Sequence, residues 1–108
     1  MTTERLATLL RFLEDDPSDV FTHYAIAQEH ASSGDFRSAV EKYEEIIRRD
    51  CSYVPAYHQL GLLLLQLNRE DHAREKLSEG INAALRIGDT HAQAEMQEVL
   101  DELTSSKR

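Results

Sequence analysis

The feature that most constrains this chain is that it resembles itself. Sliding it so that residue 20 falls on residue 54 sets residues 20–53 beside 54–87. Six pairs are then identical: Val20/Val54, Ala39/Ala73, Glu41/Glu75, Lys42/Lys76, Glu45/Glu79 and Ile47/Ile81. Other pairs agree in class. Ile26 meets Leu60, Ala27 meets Gly61, Gly34 meets Asn68, and Tyr43 meets Leu77. A fixed period of this size is the mark of one supersecondary unit stacked on itself.

The matched classes read as two helices and a turn. Ala27/Gly61 and Ala39/Ala73 are small at the same places, which lets consecutive helices approach closely. Gly34 and Asn68 are residue types that tolerate the left-handed backbone at a helix end. Asp35 then stands where an N-cap is needed. Ala39, Val40, Tyr43, Ile46 and Ile47 follow at helical spacing. Hydrophobic residues make up 41% of the 108 residues, enough for a core, which argues against a disordered chain. With 4 Gly and 2 Pro, a collagen-like chain is excluded, and the composition argues against a turn-rich β-sandwich.

These residues resemble the tetratricopeptide repeat family, whose unit is about 34 residues long. The first unit, residues 20–53, offers Ile26-Ala27, Gly34-Asp35-Phe36, Ala39 and Tyr43, with His23 at the first aromatic position. The second, residues 54–87, offers Tyr57, Leu60-Gly61 and Ala73, with Leu77 at the second aromatic position. Cys51 and Leu85 replace the family's closing proline, and Ile46 stands where a small residue is usual. Leu6, Leu9, Phe12, Leu13 and Asp16-Pro17 fit the second helix of a preceding half repeat, residues 3–19, with Arg5 at its small position. Gly88 stops a helix, and Thr90-His91-Ala92-Gln93 reads as a capping box opening on Thr90. Ala92, Met96, Val99, Leu100 and Leu103 then lie on one face of a capping helix, residues 90–104. The resemblance implies one all-α domain, a right-handed solenoid of antiparallel helix hairpins. Six helices are expected, near residues 3–14, 20–33, 36–50, 54–67, 70–87 and 90–104.

The resemblance also implies a non-catalytic protein-interaction module with a groove lined by the first helix of each pair. Carried over position by position, the groove residues are Phe21, Tyr24 and Gln28 in the first unit, and His58, Gln59, Leu62, Leu65 and Gln66 in the second. Leu62 and Leu65 belong to a leucine run wider than one apolar face requires. Either they anchor a partner or the capping helix covers them. If that helix plays the first-helix role of a third unit, its groove positions include Glu95 and Glu98, with His91, Ala94, Asp101 and Glu102. The expected partner is a protein or peptide with an apolar anchor followed by Lys or Arg. Tyr24, Gln28 and Gln59 stand where the chaperone-tail-binding branch of the family has its basic clamp, so that specificity is not expected.

Catalytic and metal chemistry find little support in the residue pattern. His23 and His30 are seven apart, about 10 Å along a helix, and no His pair has the i, i+4 spacing of a zinc helix motif. The pattern holds no Gly-rich phosphate loop, nucleophile elbow or HExxH stretch. Acidic pairs fall on amphipathic faces, and Glu44–Arg48, Glu45–Arg49 and Glu70–Arg74 have the supportive acid-first order. No cofactor, metal or enzymatic activity is expected.

The net charge of −8 opposes nucleic-acid binding. The longest apolar run is too short to cross a bilayer, and no secretion signal opens the chain. With Cys51 the sole cysteine, these features lead us to expect a cytoplasmic protein. Two alternatives stand beside the groove. The terminal helices could drive homo-oligomerisation, since Met96, Val99, Leu100 and Leu103 approach heptad spacing. The acid excess could also serve solubility in a salt-rich cytoplasm.

Overall fold

The computed structural model describes residues 3–106. Among them are six α-helices and no strand: α1 (Glu4–Asp15), α2 (Val20–Ser32), α3 (Phe36–Arg49), α4 (Val54–Gln66), α5 (Glu70–Ile87) and α6 (Thr90–Ser105). Each helix end lies within one residue of the sequence expectation. The helices fall into two compact units, Met1–Asp50 and Cys51–Arg108.

In the first unit, α1 packs on α2 and α2 on α3. Leu6, Ile26, Ala27, Ala39, Val40 and Tyr43 are buried there. In the second, α4 packs on α5, α5 on α6, and α4 also touches α6. Leu60, Leu64, Ala73, Leu77, Ala84 and Met96 are fully buried.

Three helices stop in the same way. Gly34, Asn68 and Gly88 take positive φ values of 85°, 62° and 76°. The next residue then donates its N–H back to the carbonyl five positions earlier: Asp35 to His30 at 2.9 Å, Arg69 to Leu64 at 2.8 Å and Asp89 to Ala84 at 2.9 Å. This bond brings a backbone donor to a carbonyl in the last turn of the helix, where intrahelical donors run out. Asp35 caps α3 as expected, accepting from the Ser38 N–H at 3.2 Å.

The start of α6 differs from expectation. Asp89, not Thr90, is the cap, and its carboxylate accepts from the Ala92 N–H at 3.0 Å. Gly88 takes the left-handed turn and leaves Asp89 in a non-helical conformation just outside the helix. Thr90 is already helical and cannot act as the box residue.

At two glycines a neighbouring helix leaves no room for a side chain. A Cβ at Gly61 would lie 2.6 Å from side-chain atoms of Leu77. A Cβ at Gly80 would lie 2.6 Å from both Tyr57 Cβ on α4 and Met96 Sδ on α6. Gly80, at a position where the other unit carries Ile46, is thus where α4, α5 and α6 meet.

Candidate partner-binding surfaces

The period of the sequence is also a period of polar contacts. His23 and Tyr57 occupy the same register position, as do Pro17 and Cys51. The His23 ring nitrogen Nε2 lies 2.8 Å from the Pro17 carbonyl, and the Tyr57 hydroxyl donates to the Cys51 carbonyl at 2.8 Å. Each first helix is therefore pinned to the turn before it. Lys42 Nζ donates to Glu45 at 3.0 Å, and its register equivalent Lys76 donates to Glu79 at 3.3 Å. Two of the identical pairs of the repeat, Lys42/Lys76 and Glu45/Glu79, thus form a recurring ion pair. A third, Ala39/Ala73, lies one turn earlier and is fully buried.

In the first unit this ion pair reaches a buried histidine. Lys42 Nζ lies 3.0 Å from His23 Nδ1. An ammonium can only donate, so Nδ1 is the acceptor and the proton sits on Nε2, facing the Pro17 carbonyl. The Lys42 hydrogen bond, helped by the charges of Lys42 and Arg49, holds the Glu45 carboxyl below its ordinary range against the opposing effect of burial. An open cleft of about 380 Å³ lies over this network, lined by His30, Ser38, Glu41, Lys42, Glu45 and Arg48. Its lining carries both signs of charge, and its lysine is already engaged by His23 and Glu45. Among the described residues, no group of three or more His, Cys, Asp and Glu side chains is placed to hold a metal ion. Cys51 is exposed, as an unpaired thiol.

The expected groove residues divide between the two units. On α2, Phe21 is 70% exposed, Gln28 is exposed and Tyr24 is half-buried. The Tyr24 ring lies 5.9 Å from that of Tyr43, tilted by 60°. Burial, followed by the influence of Tyr24, pushes the Tyr43 phenol up.

On α4 the leucine run splits by face. Leu60, Leu63 and Leu64 enter the core at helical spacing, while Leu62 remains 38% exposed. His58, Gln59 and Leu65 are half-buried and Gln66 is exposed. On α6, Glu95 and Glu98 are exposed, as are His91, Ala94, Asp101 and Glu102. His91 Nε2 lies 3.2 Å from Glu95. Helix α6 therefore seats its Met96 in the core and leaves Leu62 partly open.

No protein-family model matches the chain, and no curated protein matches it. Solved structures do. The chain is similar to a tetratricopeptide repeat domain protein from Salinibacter ruber, seen by solution NMR, at 37% identity and a TM-score of 0.75, over 78% of this chain and 85% of that one. A crystal structure of the same Salinibacter ruber domain matches at 36% identity and a TM-score of 0.71, over 75% of this chain and 90% of that one. The fold alone is shared with a protein from Bordetella parapertussis at 22% identity and a TM-score of 0.82, over 98% and 91% of the two chains. Turns, small-residue contacts and polar pairs recur here with the period of the sequence, and a solved relative, seen in two structures, matches at 37% and 36% identity over most of its length, so the chain belongs to the tetratricopeptide repeat family.

Proposed function

We propose that the protein is a non-catalytic interaction module that binds a peptide or partner helix on the α4–α6 face of its second unit. Family membership supports protein interaction in general. The observation that carries the finer reading is the exposure of Leu62 on α4, in a unit where α4 touches α6 and the outer stripe of α6 is acidic. Leu62 and Leu65, with His58, Gln59 and Gln66 around them, offer an apolar anchor site. Glu95 and Glu98 offer negative charge beyond it. The matching ligand is an extended or helical segment with one large apolar residue followed by Lys or Arg. Its charges raise the association rate and are screened by salt. Phe21, Tyr24 and Gln28 are a second candidate contact surface on α2. The cytoplasm is the proposed site of action, with protein rather than nucleic acid or membrane as partner. No helix among the described residues is long and apolar enough to cross a membrane.

Selection of peptides from a random display library against the whole protein tests this reading. Selected peptides should combine an apolar anchor with basic residues. Leu62→Ala should weaken them, and Glu95→Lys with Glu98→Lys should remove the salt dependence. Peptides without basic residues, bound equally well by the Lys variants, would remove the acidic edge from the reading. Homo-assembly through α6 retains less surface, because Met96 is fully buried against Gly80. Light scattering across a concentration series separates the two. A dimer that forms with micromolar affinity and is lost on Leu103→Asp would favour assembly.

A further inference from the structure

The repeat step, carried one period back, maps Gly80 through Ile46 onto Phe12, and Ala73 through Ala39 onto Arg5. On α5 this stripe is covered by other helices. Ala73 is fully buried, and Gly80 lies against Tyr57 and Met96. On α3 both Ala39 and Ile46 are fully buried. On α1 the same stripe is open. Phe12 is 55% exposed, and Arg5 is exposed beyond its ion pair with Glu29 at 3.3 Å. Leu6, on another side of the helix, is buried. We propose that this face of α1 is a docking site for an amphipathic helix of a partner protein, one with Lys or Arg along its edge and small residues where it crosses Phe12. The proposal is independent of the α4–α6 face.

Two observations fix the chemistry of the occupant. The first is shape. At Gly80 the surface of α5 is hollow and the neighbouring helices supply bulk. At Phe12 the bulk is on α1, so the incoming helix must supply the hollow with Ala, Gly or Ser. The second is charge. The end of α1 and the turn after it carry Glu14, Asp15, Asp16 and Asp19, against the single base Arg11 in the same stretch. Phe21, second residue of α2, adds an exposed ring on the far side of that turn. A basic helix is attracted to this rim. A second copy of the chain would bring the same four acids and a net charge of −8.

The test uses the full chain at low salt and a synthetic Ala-rich helix with Leu on one face and Lys along its edges. A control peptide has Glu in place of Lys. Backbone amide NMR shifts report the site. The basic helix should move the amides of α1 and of residues 16–19, and the acidic control should not. Phe12→Asp should weaken binding at least tenfold, while Leu62→Ala leaves it unchanged. Replacing Ala by Leu at the crossing position of the peptide should weaken it several-fold. Phe12 is exposed, so its variant should keep the helical circular dichroism. If it does not, the double change Glu14→Lys and Asp15→Lys tests the same site through charge and should weaken the basic helix as strongly. Absence of shifts on α1 overturns the proposal, as does equal binding of the acidic peptide. Loss of binding with Leu62→Ala and not with Phe12→Asp assigns the peptide to the α4–α6 face instead. A Phe12-dependent dimer that the basic helix does not dissociate makes a second copy the occupant and overturns the partner named here.

Discussion

At Gly80 the backbone of α5 is itself the packing surface, and the two atoms facing it differ in their freedom to move. Met96 Sδ belongs to a flexible side chain, but Tyr57 Cβ is fixed to the α4 backbone. Gly80→Ala therefore cannot be absorbed by a rotamer change alone. Overpacking costs about 1–3 kcal/mol, against roughly 1 kcal/mol gained in helix propensity. Chemical denaturation should show a net loss for Gly80→Ala, larger than for Gly61→Ala, where only the Leu77 side chain intrudes. The reverse order would contradict the contact geometry. A second residue-scale prediction concerns Glu45, whose carboxyl is held below its ordinary range chiefly by the Lys42 hydrogen bond. A carboxyl depressed in the folded state adds stability above its unfolded pKa, and that stability is lost as pH falls through the folded value. Melting temperature should therefore fall on acidification below about pH 4.5, and less steeply for Glu45→Gln. Equal slopes for the two proteins would remove Glu45 from the acid response. Neither residue could be weighed from the sequence. Gly80 aligns with Ile46, the opposite in size, so the register gave no hint of a close contact. His23 aligns with Tyr57, and only geometry reveals that both tips reach the carbonyl six residues back.

Helix boundaries were legible because residues with special backbone tolerance mark them. Gly34, Asn68 and Gly88 each stand at a left-handed stop, and the following hydrogen bond repeats three times. The cap of α6 was not, because two oxygen-bearing residues, Asp89 and Thr90, adjoin each other and only the conformation after Gly88 decides between them. That decision is measurable. Loss of an N-cap side chain costs about 1 kcal/mol. Asp89→Ala should lower stability by that amount, while Thr90→Ala, at the first helical position, should change it by a few tenths. A larger loss for Thr90→Ala would restore the capping box. The candidate surface was legible in part for a similar reason. Helical spacing assigns Leu60, Leu63 and Leu64 to one face, but how far α6 covers the opposite face depends on the seat that Gly80 provides for Met96.

Charge belongs to the whole chain, with 20 acidic residues against 12 basic ones. Several bases are already engaged within helices, as in Arg37–Glu41 at 3.5 Å, Arg49–Glu45 at 3.7 Å and Arg74–Glu70 at 3.4 Å. The excess acids therefore remain as net repulsion, concentrated at residues 14–19 and along α6. Salt acts on the two kinds of interaction in opposite directions. It screens the repulsion, which stabilises the fold, and it screens exposed pairs, each worth about 0–1 kcal/mol. Screening is largely complete once the Debye length falls to about 8 Å, near physiological ionic strength. Melting temperature should thus rise modestly as salt increases from low values and then level off. Affinity for a basic partner should fall over the same range, since its attraction draws on the same acids. Thermal unfolding and peptide titration in one salt series would give these opposite slopes. A melting temperature that keeps climbing steeply to molar salt would instead make the acid excess an adaptation to a salt-rich cytoplasm. An affinity indifferent to salt would detach the acids from partner binding altogether.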